Sequence, residues 1–177
     1  ALFTHYAQKL TVSRLQRDLS DSTVRRTFGT ALGHMLVAWL NLQRGMKRIV
    51  FACVHNAGRS QMAAAWFNRI ADQTKARAVS AGTEPSDHVH PVVVEAMNEK
   101  GIDLSKAEPQ KLTAELAKEA AFLVTMGCGE SCPYIPGVPI LDWPLQDPKG
   151  QGIEPVRVIR DEVEARVRAF IVENHWE

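Results

Sequence analysis

After Cys53 and five intervening residues the chain places Arg59 and Ser60, within the stretch Val50-Phe51-Ala52-Cys53-Val54-His55-Asn56-Ala57-Gly58-Arg59-Ser60-Gln61-Met62. An apolar run from Ile49 to Ala52 reads as a buried strand, and Gln61 to Ile70 has the pattern of a helix, so the cysteine stands on a strand-to-helix turn. Asn56, Ala57 and Gly58 are small or turn-tolerant. They let successive backbone N–H groups converge on one point, where a helix N-terminus adds partial positive charge. Such a setting, with a guanidinium nearby, favours a thiolate over a thiol and makes Cys53 a nucleophile. Arg59 carries the planar fork that holds two oxygens of a tetrahedral oxyanion. Ser60 can donate its hydroxyl to the Cys53 sulfur, and Asn56 can bond across the loop. Val54, His55, Asn56, Ala57, Gly58, Arg59 and Ser60 therefore form a candidate oxyanion cradle, with the bound anion poised for in-line attack by Cys53.

This spacing resembles the signature of low-molecular-weight protein tyrosine phosphatases and of the arsenate reductases that share their fold. The run Arg59-Ser60-Gln61-Met62-Ala63 looks like the arsenate reductase branch. In redox-active members of that branch a second pair of cysteines follows the third strand, which here corresponds to Cys128 and Cys132 in Thr125-Met126-Gly127-Cys128-Gly129-Glu130-Ser131-Cys132-Pro133. Their separation is shorter than in the best-known members. Glycines on both sides of Cys128 leave that segment conformationally free. The resemblance also implies an acid loop in Leu141-Asp142-Trp143-Pro144-Leu145-Gln146-Asp147-Pro148, with Asp147 as acid or base and Asp142 as the competing candidate. The implied cascade runs from Cys53 attacking arsenate, through a Cys53–Cys128 disulfide with release of arsenite, to a Cys128–Cys132 disulfide. An external thiol reductant then regenerates the protein: thioredoxin in the first instance, with mycothiol, glutathione or another small thiol as the alternative.

Phosphate and sulfate share arsenate's shape and charge and are expected to compete. A phosphatase is the alternative enzyme, although Lys149 stands after the proline where phosphatases commonly carry tyrosine. A non-catalytic oxyanion sensor would leave the three cysteines without a role. Family members sometimes hold potassium near the cradle, but the acidic residue expected in the first helix is Ala64 or Ala65 here, so neither a metal nor any other bound cofactor is expected.

The elements that must position these groups alternate from Ile49 onward. Strands are expected at Arg48–Ala52, Ala78–Ala81, Ala121–Met126 and Pro139–Leu141. Helices are expected at Arg59–Asp72, burying Met62, Trp66 and Ile70; from Pro91 to Gly101, with Val92, Ala96 and Met97 inward; at Leu112–Glu119; and at Val156–Val172, with Val156, Ile159, Val163, Val167, Phe170 and Ile171 inward. This βαβ rhythm predicts an α/β fold with a four-stranded parallel sheet and helices on both faces. Residues 1–46 are expected to be an N-terminal helical extension and 47–177 the phosphatase-like domain. In the extension Val12, Leu15 and Leu19, then Val24, Phe28, Leu32, Met35, Leu36, Trp39 and Leu40, lie at helical spacing, with Asp21 or Ser22 as cap. That stripe must be covered, either by the domain or by its copy in a homodimer through residues 1–45, the latter being favoured.

In a chain of 177 residues a net charge of +1 argues against a nucleic-acid surface. No run of 18 apolar residues and no basic-then-apolar leader occurs, so a cytoplasmic protein away from the membrane is expected. Three cysteines do not make a disulfide framework, and zinc would need a fourth ligand. His88 and His90 read as surface loop residues, and His55 could face either into the cradle or outward.

Overall fold

The computed structural model describes residues 29–36, 39, 45–128, 132 and 135–177. Contacts divide the chain into two compact units, Ala1–Gly45 and Met46–Glu177. In the first, residues 29–36 are helical, and Leu32, Met35, Leu36 and Trp39 are exposed. The expected positions Val12, Leu15, Leu19, Asp21, Ser22, Val24, Phe28 and Leu40 lie outside the described residues.

The second unit is an α/β layer structure. Strand β1 (Lys47–Cys53) leads through the cradle into helix α1 (Arg59–Ile70), followed by β2 (Ala76–Gly82), α2 (Pro91–Asn98), the short α3 (Ala114–Lys118), β3 (Phe122–Thr125), β4 (Ile140–Asp142) and the long α4 (Ile153–Glu173). All pairings are parallel and the strand order is β2-β1-β3-β4. The four-stranded parallel sheet and its helices agree with the sequence pattern. The strands differ from it at their ends. β1 and β2 are longer than their apolar runs because Lys47 pairs with Ala76 and Arg48 with Arg77 by backbone alone.

Alternation along β1 builds two cores. Ile49, Phe51 and Cys53 join one cluster with Met62, Phe67, Val93 and the inward face of α4, while Val50 and Ala52 join another with Leu112, Ala117, Leu123 and Cys128. Successive strand residues point to opposite faces, so these cores lie on the two sides of the sheet. Phe170 anchors the larger one, with ring centroids 5.3 Å from both Phe122 and Trp176. In α2 the most deeply buried valine is Val93, with Val92 only partly buried. Pro91 at the helix start sets this phase, because His90 rather than an earlier residue becomes the N-cap.

Candidate active site

The crossovers reverse direction between β1 and β3, and the carboxyl ends of these neighbouring strands are where an open α/β sheet presents its crevice. β1 ends on Cys53, which is buried and unpaired. The loop that follows is folded by Asn56, which adopts a left-handed conformation (φ 49°) and is fully buried. Asparagine tolerates that conformation better than most residues. The loop is also tied down from outside: Thr83, Glu84, Ser86 and His90 donate backbone N–H bonds to the carbonyls of Cys53, Val54, His55 and Ala57 at 2.9–3.1 Å. With its carbonyls held outward, the loop leaves its N–H groups for the interior of the turn.

Helix α1 starts at Arg59, its N-cap Gly58 offers no side-chain hydrogen bond, and no acidic residue occupies its first turn. Its first N–H groups have no intrahelical acceptor. This is the electrostatic setting that attracts an anion. The Cys53 sulfur meets the Asn56 backbone N–H at 3.2 Å and the Ser60 hydroxyl at 3.0 Å. Asn56 Nδ2 donates to Ser60 Oγ at 2.8 Å.

Arg59 is buried and reaches the other two loops. Its Nη2 donates to Asp147 Oδ2 at 2.8 Å and its Nη1 to the Leu145 carbonyl at 3.1 Å. A methyl group on Gly127 (φ 75°) would lie 2.7 Å from Arg59 Nη1, so the cysteine-bearing segment also passes against the guanidinium. The acid loop sits directly on the cradle: a methyl group at Gly58 would lie 2.5 Å from Pro148 Cγ. Of the two aspartates, Asp147 is therefore the one at the cradle. Asp142 accepts from the Thr125 hydroxyl at 2.7 Å, at the end of β4.

Cys128 and Cys132 are joined in a disulfide with Cα atoms 5.6 Å apart. Cys128 is buried in the smaller core and Cys132 packs partly against it. Cys53 lies in the other core, but the chain segments are neighbours, since Met126 N–H donates to the Ala52 carbonyl at 2.8 Å. Two residues of extended chain span about 7 Å, which is the reach separating Cys128 from that contact. Cys132 lines a cleft of about 590 Å³ together with Thr125, Gly127, Asp142, Leu145 and Gln146.

His55 is half-buried with Nδ1 3.3 Å from the Glu84 carbonyl. His90, expected on the surface, is half-buried at the start of α2. Burial holds it below the ordinary imidazole value, against the pull of Asp147, while His55, Lys149 and His88 push in the same direction as burial. Sequence reasoning missed Gln61 and Gln110, both bonded to Asn56 Oδ1. Gln61 carries a faint signal, a polar residue on the inward face of a helix, whereas Gln110 is 54 residues distant in the chain and carries none. Among the described residues no cluster of three or more His, Cys, Asp or Glu could hold a metal ion, and no helix is long and apolar enough to cross a membrane.

The profile of the family described as "Low molecular weight phosphotyrosine protein phosphatase" matches residues 48–175. A second profile, "Adenylosuccinate lyase C-terminal", matches residues 13–77, less than half of the chain. A Halobacterium salinarum protein named "Putative arsenate reductase" is 41% identical over 121 residues, 66% of this chain and 85% of that protein. The "Glutaredoxin arsenate reductase" of Synechocystis sp. is 34% identical over 129 residues, 71% of this chain and 97% of its own length. Among solved structures, a thioredoxin-dependent arsenate reductase of Corynebacterium glutamicum superposes with a TM-score of 0.65 at 30% identity, over 97% of this chain and 83% of the other.

Proposed function

Because the chain belongs to the low molecular weight phosphotyrosine protein phosphatase family, we infer that it is an enzyme of that family's arsenate reductase branch, reducing arsenate to arsenite in arsenic detoxification. The observation that carries this reading is the pairing of thiols. Cys128 and Cys132 are joined while Cys53 stays free in the cradle, the arrangement with which a three-thiol cascade ends.

In the proposed sequence arsenate sits on the N–H groups of Val54–Ser60 and on Arg59. The Cys53 thiolate bonds to arsenic(V), and one oxygen departs as water with a proton from Asp147. The Cys128 thiolate then attacks the Cys53 sulfur. The S–As electron pair remains on arsenic, which leaves as arsenite, and a Cys53–Cys128 disulfide forms. Attack by Cys132 on Cys128 releases Cys53 and yields the Cys128–Cys132 bond. An external dithiol of the thioredoxin type supplies the two electrons that reopen it. The named relatives support a thiol donor but differ in kind, one thioredoxin-dependent and one named for glutaredoxin. A reducing, cytoplasmic setting, in which such a couple cycles rather than persists, is part of this reading.

Replacing Cys132 by serine tests the order: under arsenate, mass mapping should find an accumulated Cys53–Cys128 bond, and its absence in a folded variant overturns the cascade. Comparing arsenate-dependent consumption of reducing equivalents with thioredoxin and its reductase, or with a small thiol, identifies the donor. Phosphatase activity is the second reading, favoured by the Asp147–Arg59 contact; it gives Cys128 and Cys132 no part. Pairing of two copies through residues 1–45 is a further proposal, resting on the exposed Leu32, Met35, Leu36 and Trp39.

A further inference from the structure

Behind the cradle stands a row of amide groups that the sequence of steps above does not use. Asn56 Oδ1 accepts from the Gln110 backbone N–H at 2.8 Å and from Gln61 Nε2 at 3.2 Å. A backbone N–H can only donate, so the end of Asn56 facing Gln110 must be its oxygen and the end facing Ser60 its NH2. Ser60 Oγ thus accepts from Asn56 at 2.8 Å, and the remaining hydroxyl hydrogen is free to point at the Cys53 sulfur 3.0 Å away. Gln110 is itself fixed, its Nε2 donating to the Ser80 carbonyl at 2.8 Å and its carbonyl accepting from Gly82 N–H at 2.9 Å. Asn56, Ser60 and Gln61 are all buried, where water does not compete and aligned bonds polarise one another.

We propose that Gln61 is a positioning residue of the reaction: with the Gln110 backbone it holds the Asn56 carboxamide in the orientation that makes Ser60 a donor to the Cys53 thiolate. The proposal rests on Cys53 being the nucleophile, but not on which oxyanion it attacks. A Gln61 that merely fills space would leave the ionisation of Cys53 untouched. A Gln61 that sets the direction of the row would not.

The test uses the full chain with the Cys128–Cys132 disulfide intact, so that iodoacetamide reads Cys53 alone. The charged and titratable groups around Cys53 are Arg59 on α1, Asp147 on the acid loop, His55 in the cradle and His90 ahead of α2. They are unchanged in Gln61→Met and Gln61→Leu, neither of which adds a charge. Both variants should shift the midpoint of the alkylation–pH profile upward, with alkylation below the midpoint about 3- to 10-fold slower and the high-pH plateau retained, the factor expected for one hydrogen bond. Gln61→Leu, shorter and equally unable to donate to Asn56 Oδ1, decides the matter if Gln61→Met does not fold. In a Ser60→Ala background either change should add nothing. An unmoved midpoint in a variant with native thermal unfolding, or an effect that persists without the Ser60 hydroxyl, overturns the proposal. Since the assay contains no arsenate, a shifted midpoint alongside absent arsenate turnover would sink the reductase reading and leave this inference standing.

Discussion

Arg59, which follows directly on the turn that holds Cys53, touches two further segments at once: the acid loop through Asp147 and the Leu145 carbonyl, and the cysteine segment at Gly127. A point charge cannot replace this fork. Arg59→Lys should retain the fold but lower kcat/KM for arsenate by about 10²-fold or more, the order lost with one preorganised charge-stabilising group; steady-state consumption of reductant measures it. Asp147→Asn should cost about 10²- to 10⁴-fold, the usual contribution of a general acid, whereas Asp142→Asn should leave turnover within a few-fold, because Asp142 is occupied by Thr125. Equal losses in both variants would contradict the assignment of the acid. At this scale the sequence was legible wherever the partners lie within one turn of chain. Cys53, Asn56, Arg59 and Ser60 speak through spacing. Gln110 and the Leu145 carbonyl reach the site only through folding and leave no local mark.

Strand β1 presents Phe51 to one core and Val50 and Ala52 to the other, all fully buried. Phe51 packs between Phe67 and Trp143, with ring centroids 6.0 and 5.7 Å away. Phe51→Ala should therefore destabilise the domain by about 3–5 kcal/mol, read from the denaturation midpoint, and should weaken the cradle indirectly because Cys53 follows on the same strand. Strands and helices were readable as types because their apolar periods are long and regular. Their ends were not. Lys47 and Arg77 join the sheet through backbone bonds that owe nothing to side-chain polarity. The site's closeness to the acid loop was legible only through the family resemblance, since in the chain itself it is written in an absence, the missing Cβ of Gly58 beneath Pro148.

For the whole second unit, helices α2 and α4 are clamped by Glu99, which accepts from Arg157 Nε at 3.0 Å and from Arg160 Nη1 at 2.9 Å. The Arg157 bonds first, then Arg160, hold the Glu99 carboxyl down to about 2, from an ordinary value near 4.5. A depressed carboxylate stabilises the fold in full above its unfolded value, so this contribution should be present above pH 4.5 and fade as the pH falls toward 2. Glu99→Gln should lower the denaturation midpoint at neutral pH and narrow its difference from the parent across that acid window. The charge pattern alone could not have announced this clamp, because its partners lie 58 and 61 residues away.

The sheet separating the two cores has a consequence of its own. It acts as a septum: the Cys53 sulfur is rooted on one side and the Cys128–Cys132 pair on the other. On the reading proposed above, a spent molecule keeps an intact receptor and goes on sequestering oxyanion it can no longer convert. When arsenate is abundant, resupply of electrons rather than encounter with substrate then sets the pace.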